Sequence, residues 1–159
     1  MMRAFWLAPL VLILDQLSKW WIIDGLRLYV CRSVPLTDFL SLTWVENRGI
    51  SMGLLDLGDD GRWILVGLTA LIACAVAWWL AREENRWDAL ALAAILGGAV
   101  GNIVDRVRLG FVVDFVHFHL GDRSFYVFNV ADAAITLGVI ALLARGLLGG
   151  ADKRSPDRP

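Results

Sequence analysis

Lysine is nearly missing from this 159-residue chain, where Lys19 and Lys153 are the only two. A serine–lysine dyad needs a serine within reach of a lysine, and here one lysine lies inside an apolar run and the other in a polar tail. Cysteine is equally scarce. Cys74 sits in an apolar run and Cys31 in a polar loop, which suggests neither a disulfide framework nor CxxC-type metal spacing. No HExxH motif is present, and His117 and His119 have no evident third ligand, so no metal site is expected. The two histidines alternate on a probable strand and read as interfacial residues beside lipid headgroups. An excess of either charge is also lacking: the net charge is -1, which leaves no electrostatic case for nucleic acid.

What the chain has is apolar sequence. Hydrophobic residues make up 58%, against about 45–50% in a soluble domain, and the mean hydropathy is +0.61. The excess is gathered in blocks. A bilayer core about 30 Å thick needs about 20 mostly apolar residues to cross it. Four stretches meet or approach that length, at about 4–23, 63–81, 89–105 and 127–144. Trp20, Trp21, Trp63, Trp78, Trp79 and Trp87 fall at their ends, where tryptophan prefers the membrane–water interface. Arg3 ahead of the first run resembles a cleaved leader. Asp15 and Lys19 within the run, and the lack of a small-x-small site after it, make a retained span the better reading.

The expected fold is therefore an all-α membrane protein, a four-transmembrane-helix bundle with a small β-rich extracytoplasmic cap. Residues 1–150 form one domain and 151–159 a polar tail. Four spans put both termini on one side. Lysine and arginine divide evenly between the two sides, but the charges of the short loop and tail lie close to helix ends, which favours cytoplasmic termini. In the first long loop, Tyr29 to Val45 has extended-chain character interrupted by Pro35, with Leu40, Leu42 and Trp44 alternating with Ser41 and Thr43. Asp56 to Gly61 reads as a turn. In the second, Phe111 to His119 and Ser124 to Phe128 flank Gly121-Asp122 as a plausible hairpin.

Ionisable groups inside a spanning helix cost about 2.5–3.5 kcal/mol on insertion scales, so each is a candidate for function. Asp15 and Lys19 are spaced i, i+4 and can pair, which also explains them as structure. Asn102 and Asp105 are spaced i, i+3 at the end of the third run, beside Arg106. A bland alternative there is a glycine-lined helix contact through Gly97, Gly98 and Gly101, ended by an Asp105–Arg106 pair. Asn129 and Asp132 repeat the i, i+3 spacing. Capping accounts for Asn129 but less well for an acid in that apolar run. Asp114 lies among Phe111, Val112, Val113, Phe115 and Val116, where a water-facing loop acid is the plain alternative. Two acids on separate elements at one membrane face are what an aspartic peptidase requires. Carboxylates about 3 Å apart share a proton; one activates water while the other polarises the carbonyl and protonates the leaving amine.

These residues fall in blocks that resemble the lipoprotein signal peptidases, or signal peptidase II. Leu14-Asp15-Gln16-Leu17-Ser18-Lys19 matches the first block. Val45-Glu46-Asn47-Arg48-Gly49-Ile50-Ser51-Met52-Gly53 is similar to the second, with Ile50-Ser51-Met52 where many members read Ala-Ala-Phe after the glycine. Gly97-Gly98-Ala99-Val100-Gly101-Asn102-Ile103-Val104-Asp105-Arg106, continuing to Val112-Val113-Asp114-Phe115, matches the third, and Phe128-Asn129-Val130-Ala131-Asp132 the fourth. The resemblance covers nearly the whole chain. It implies a catalytic pair at Asp114 and Asp132. It marks Asp15, Lys19, Asn47, Gly49, Asn102, Asp105, Arg106 and Asn129 for supporting or substrate-binding roles. It also implies cleavage of diacylglyceryl-modified bacterial prolipoproteins just before the lipidated cysteine. No metal or organic cofactor is implied, and the site would lie near the outer face of the inner membrane. Lipidated prolipoprotein and membrane phospholipid are the expected partners, with the chain acting as a monomer. The alternatives are a small proton-coupled transporter using Asp15, Asp105 and Asp132 as a relay, and a non-catalytic scaffold.

Overall fold

A run without charge in a bilayer has to satisfy its backbone internally, and helix is the form that does so. In the computed structural model, which describes residues 4–49, 61–121 and 123–152, the uncharged second run is α3, Gly61–Arg82 in order of the chain. Before it come α1 (Leu7–Trp20), a π-helical turn (Trp21–Gly25), α2 (Leu28–Cys31), β1 (Ser33–Thr37) and β2 (Leu40–Asn47). After it follow α4 (Arg86–Leu109), β3 (Val112–Leu120), β4 (Arg123–Phe128) and α5 (Val130–Asp152).

Three of these helices, Gly61–Arg82, Arg86–Leu109 and Val130–Leu148, are long and apolar enough to cross a membrane. The first apolar run differs from the other three. Its α-helix has 14 residues, a rise of about 21 Å, and then widens into the 5-residue π turn. The fourth run also starts later than its hydropathy suggests, because Val127 and Phe128 belong to β4 and the helix begins at Val130.

α4 is the hub. Within the apolar windows, 56% of α4 is buried, against 11% for α3 and 11% for α5. α1, α3 and α5 all pack on α4. Its composition is the reason: Ala89, Ala91, Ala93, Gly97, Gly98, Ala99 and Gly101 are buried, and small residues let backbones approach closely. A Cβ on Gly98 would lie 2.5 Å from the Ala131 carbonyl oxygen and 2.9 Å from Ile135 Cγ1. Gly98→Ala is therefore expected to push α5 off α4 and cost about 1–3 kcal/mol of stability. Thermal unfolding in detergent reads this out, and an unchanged midpoint would contradict the contact.

The four strands form one antiparallel sheet in the order β1-β2-β3-β4. β1 continues through Pro35, which pairs with Ser41, but the register shifts between Pro35 and Thr37; an edge strand with such an irregularity is where proline is tolerated. Tyr29 to Cys31 is helical, not extended; Arg27 (φ 49°) and Arg32 (φ 66°) turn the chain on either side. The β3–β4 hairpin forms with Gly121 at φ 57°, while Asp122 lies outside the described residues. So do residues 50–60, which hold the Ile50-Ser51-Met52 departure and all of the expected Asp56–Gly61 turn except Gly61, which starts α3. The tail beyond Asp152 is outside them as well. Ile22, Leu28, Val113 and Phe115 form the core that seats the sheet on the helix ends.

Candidate active site

The second core of the molecule is polar. Lys19 Nζ lies 2.8 Å from Asp15 Oδ2 and 2.8 Å from Asp105 Oδ2, and all three residues are buried. The i, i+4 spacing of Asp15 and Lys19 produces the expected pair. The alternative, an Asp105–Arg106 pair, does not form. Adjacent residues on a helix point in different directions, and Asp105 turns inward to Lys19 instead. Its oxygens also accept from Gln16 Nε2 at 2.9 Å and from the Val113 amide at 3.2 Å. Asp15 Oδ1 accepts the Ala131 amide at 2.9 Å. The absence of a side chain at Gly101 is what admits Asp15, whose Oδ2 would stand 2.6 Å from a Cβ there.

From this knot, hydrogen bonds lead to the two candidate acids. Asn102 Oδ1 accepts from Lys19 Nζ at 3.2 Å, which orients its amide so that Nδ2 donates to Asp132 Oδ1 at 2.8 Å. Asn129 caps α5: its Oδ1 accepts the Asp132 amide at 2.9 Å while Asp132 Oδ2 accepts the Asn129 amide at 3.4 Å. This is the reciprocal geometry of a capping box. With Oδ1 committed there, Asn129 Nδ2 donates to Asp114 Oδ1 at 2.6 Å. Asn47 works the same way from β2. The amide of Gly49 holds Asn47 Oδ1 at 2.9 Å, and Asn47 Nδ2 donates to Asp114 Oδ2 at 2.9 Å. Gly49 sits at φ 77°, a conformation other residues rarely adopt.

Asp114 arrives on β3 because Gly110, in the left-handed conformation, ends α4 and reverses the chain. Its carboxyl is 2% exposed. Burial pushes it up to about 6, the Asn47 hydrogen bond pulls down, and the charge of Asp132 pushes up again. The two acids come from separate elements, and Asn129 hydrogen-bonds to both. Arg106 stands within electrostatic reach of Asp132, Asp114 and Asp105, and its Nε finds no hydrogen-bond partner among the described residues.

All ten sequence candidates, Asp15, Lys19, Asn47, Gly49, Asn102, Asp105, Arg106, Asp114, Asn129 and Asp132, thus belong to this region. Gln16 was not singled out, although it bridges Asp15 and Asp105; only its adjacency to Asp15 pointed to it. His117 and His119 lie apart from the acids, their rings 5.2 Å from each other. His117 Nε2 is 2.7 Å from Ser124 Oγ and Nδ1 is 3.1 Å from Thr43 Oγ1. Among the described residues, no three His, Cys, Asp or Glu side chains are grouped to hold a metal ion.

Known proteins share this architecture. A family model described as "Signal peptidase (SPase) II" matches residues 7–148. A lipoprotein signal peptidase of Sphingopyxis alaskensis is 52% identical over 145 residues, covering 90% of this chain and 84% of its own. One of Rhizorhabdus wittichii is 52% identical over 147 residues, covering 91% and 86%. A solved structure described as a bacterial membrane enzyme superposes with a TM-score of 0.79 at 28% identity, covering 98% of this chain and 94% of that one. A second, with the same description, gives 0.76 at 30% identity, covering 91% and 92%.

Proposed function

Because the chain belongs to the signal peptidase II family, we propose that it removes signal peptides from prolipoproteins by an aspartic mechanism, with Asp114 and Asp132 as the catalytic pair. Lipoprotein signal peptidase is its activity; the division of labour between the two acids is our reading. The supporting observation is Asn129, which joins both carboxylates through one side chain and one amide.

Asp132 is the base. It takes a proton from water, and the hydroxide equivalent attacks the scissile carbonyl carbon. Asp114, whose protonated form burial favours, gives its proton to the carbonyl oxygen. The tetrahedral intermediate then collapses: the former carbonyl oxygen returns its proton to Asp114 as the carbonyl re-forms, the C–N bond breaks, and the proton held by Asp132 passes to the leaving amine, so both acids end as they began. No covalent enzyme intermediate forms. Arg106 is suited to attract an anionic group near the acids, such as a lipid phosphate. The substrate carries a diacylglyceryl group and is cut before the lipidated cysteine.

In this reading, residues 1–150 act as one unit crossing the inner membrane four times, with α1 and its π turn as the first span. The chain works as a monomer in contact with membrane phospholipid, with cytoplasmic termini and the acids near the outer face. A proton relay fits less well. It needs acids free to titrate through the depth of the membrane, whereas Asp15 and Asp105 are both committed to Lys19.

The test is cleavage of a diacylglyceryl-modified prolipoprotein by the purified protein in detergent, followed across pH. With Asp114 as the acid, the rate should fall as pH rises through about 6, a limb that reports the pair. In Asn47→Ala the carboxylate loses a donor that stabilises its charged form, so the limb should move to higher pH. A limb that stays put or moves to lower pH would remove Asp114 as the proton carrier.

A further inference from the structure

Where the C-terminal ends of α1 and α4 meet, a cavity of about 180 Å³ opens beside the buried ion cluster. Gln16, Lys19 and Asp105 form its floor, and Trp20, Asp24 and Arg108 its mouth. Lys19 and Asp105 are buried, whereas the three mouth residues are exposed. The floor charges are already engaged, since Lys19 holds both Asp15 and Asp105. The mouth charges are not. Among the described residues neither Asp24 nor Arg108 has an ion-pair partner, and they do not pair with each other although they line one cavity. Helical period explains the α4 wall, because residues 105 and 108 are spaced i, i+3 and share a face. On the α1 side that period works against the arrangement. In an α-helix, residue 24 would lie well over a third of a turn away from residue 19. The chain instead forms the π turn Trp21–Gly25, in which the Leu26 amide donates to the Trp21 carbonyl at 2.9 Å. Its wider i→i+5 turn brings Asp24 back toward the face of Lys19 and Trp20, and such turns recur at functional sites.

We infer that this cavity seats the headgroup of a zwitterionic membrane phospholipid, with its phosphate on Arg108 and a primary ammonium on Asp24, as phosphatidylethanolamine would supply. The inference needs α4 to cross a membrane, for which its length and composition suffice, and does not depend on the aspartic mechanism. Three observations favour this occupant. The mouth carries one unpaired charge of each sign, so a headgroup with both signs is its complement. A purely anionic headgroup would meet Asp24 as a like charge, and a quaternary ammonium has no N–H to donate where a primary one, like that of lysine, has three. The volume lies below the range of about 300–1,000 Å³ for ligand pockets, which suits a headgroup whose acyl chains stay outside. Trp20 marks the membrane–water boundary at the mouth, and Ile13 and Leu17, exposed on its side of α1, offer apolar surface to those chains.

The test is lipid retention by the full chain in detergent, read by native mass spectrometry. Phosphatidylethanolamine, phosphatidylcholine and phosphatidylglycerol with the same acyl chains are supplied in equal amounts. The parent should retain the ethanolamine lipid about 10-fold better than the choline lipid, the worth of one charge-assisted hydrogen bond. Asp24→Ala should abolish that preference. Arg108→Gln should instead weaken all three lipids together, because each carries the phosphate. Both positions are exposed, so the variants should fold, which thermal unfolding without lipid checks. Adding the ethanolamine lipid should raise the unfolding midpoint of the parent by mass action, and raise that of either variant much less. Soluble phosphoethanolamine at the same concentration should not displace the lipid; if it does, the ligand is the free headgroup and the lipid assignment falls. Equal retention of the three lipids by the parent, or an ethanolamine preference that survives Asp24→Ala, would overturn the site. Cleavage is not measured, so either result leaves the peptidase reading where it stands.

Discussion

Asp114→Asn and Asp132→Asn should each slow prolipoprotein cleavage by about 10²–10⁴-fold, the usual worth of a positioned acid or base, without unfolding the protein. Asparagine keeps the shape and one acceptor oxygen, while its NH2 loses one donor partner at each position: Asn47 or Asn129 at 114, Asn102 or the Asn129 amide at 132. What it removes is the ability to exchange a proton. Stability should respond far less than activity at position 114. Burial raises the Asp114 carboxyl from 3.8 to about 6, so the folded state favours the protonated form. Its contribution is full below the unfolded value and is lost as pH rises through about 6. At pH 7, Asp114→Asn no longer buries a charge but sets an amide donor against Asn47 or Asn129, so it should unfold close to the parent temperature while being almost inactive. Single-turnover cleavage and thermal unfolding on the same preparations separate the two effects. Normal turnover by either variant would end the dyad assignment.

Lys19→Met should have the largest effect on stability, a loss of about 3–5 kcal/mol. Methionine fits the space but leaves Asp15 and Asp105 facing each other with no cation between them. It also frees Asn102 Oδ1 from the donor that orients it, so activity should fall in whatever protein still folds. Removing all three charges at once, with Lys19→Met, Asp15→Asn and Asp105→Asn together, should recover much of the loss, because a buried ion cluster replaced as a whole is often close to neutral. Thermal unfolding of the single and triple variants decides this. A single variant as stable as the parent would mean that the cluster contributes nothing to the fold.

The residues that could be read from sequence are those whose geometry is local. The i, i+4 pair Asp15–Lys19 and the cap at Asn129 follow from helical period alone, and both are in place. The acids at 114 and 132 could be singled out because apolar surroundings make a carboxylate conspicuous. Asp105 shows the limit. Arg106 is its nearest opposite charge along the chain, but the pairing is decided by which face of α4 meets α1, and that face offers Lys19. The boundary at Val127 and Phe128 was missed because a buried strand and a helix start look alike in hydropathy.

The i, i+4 spacing of Asp15 and Lys19 also bears on biosynthesis. Ribosomes deliver chains from the N-terminus, so in the four-span reading α1 reaches the lipid before the segment that carries Asp105 has been made. During that interval a lone carboxylate or ammonium in the helix would be held back by its cost in hydrocarbon. A pair one turn apart travels already neutralised, and the arrival of α4 adds a second carboxylate to a lysine that has had a partner since α1 formed.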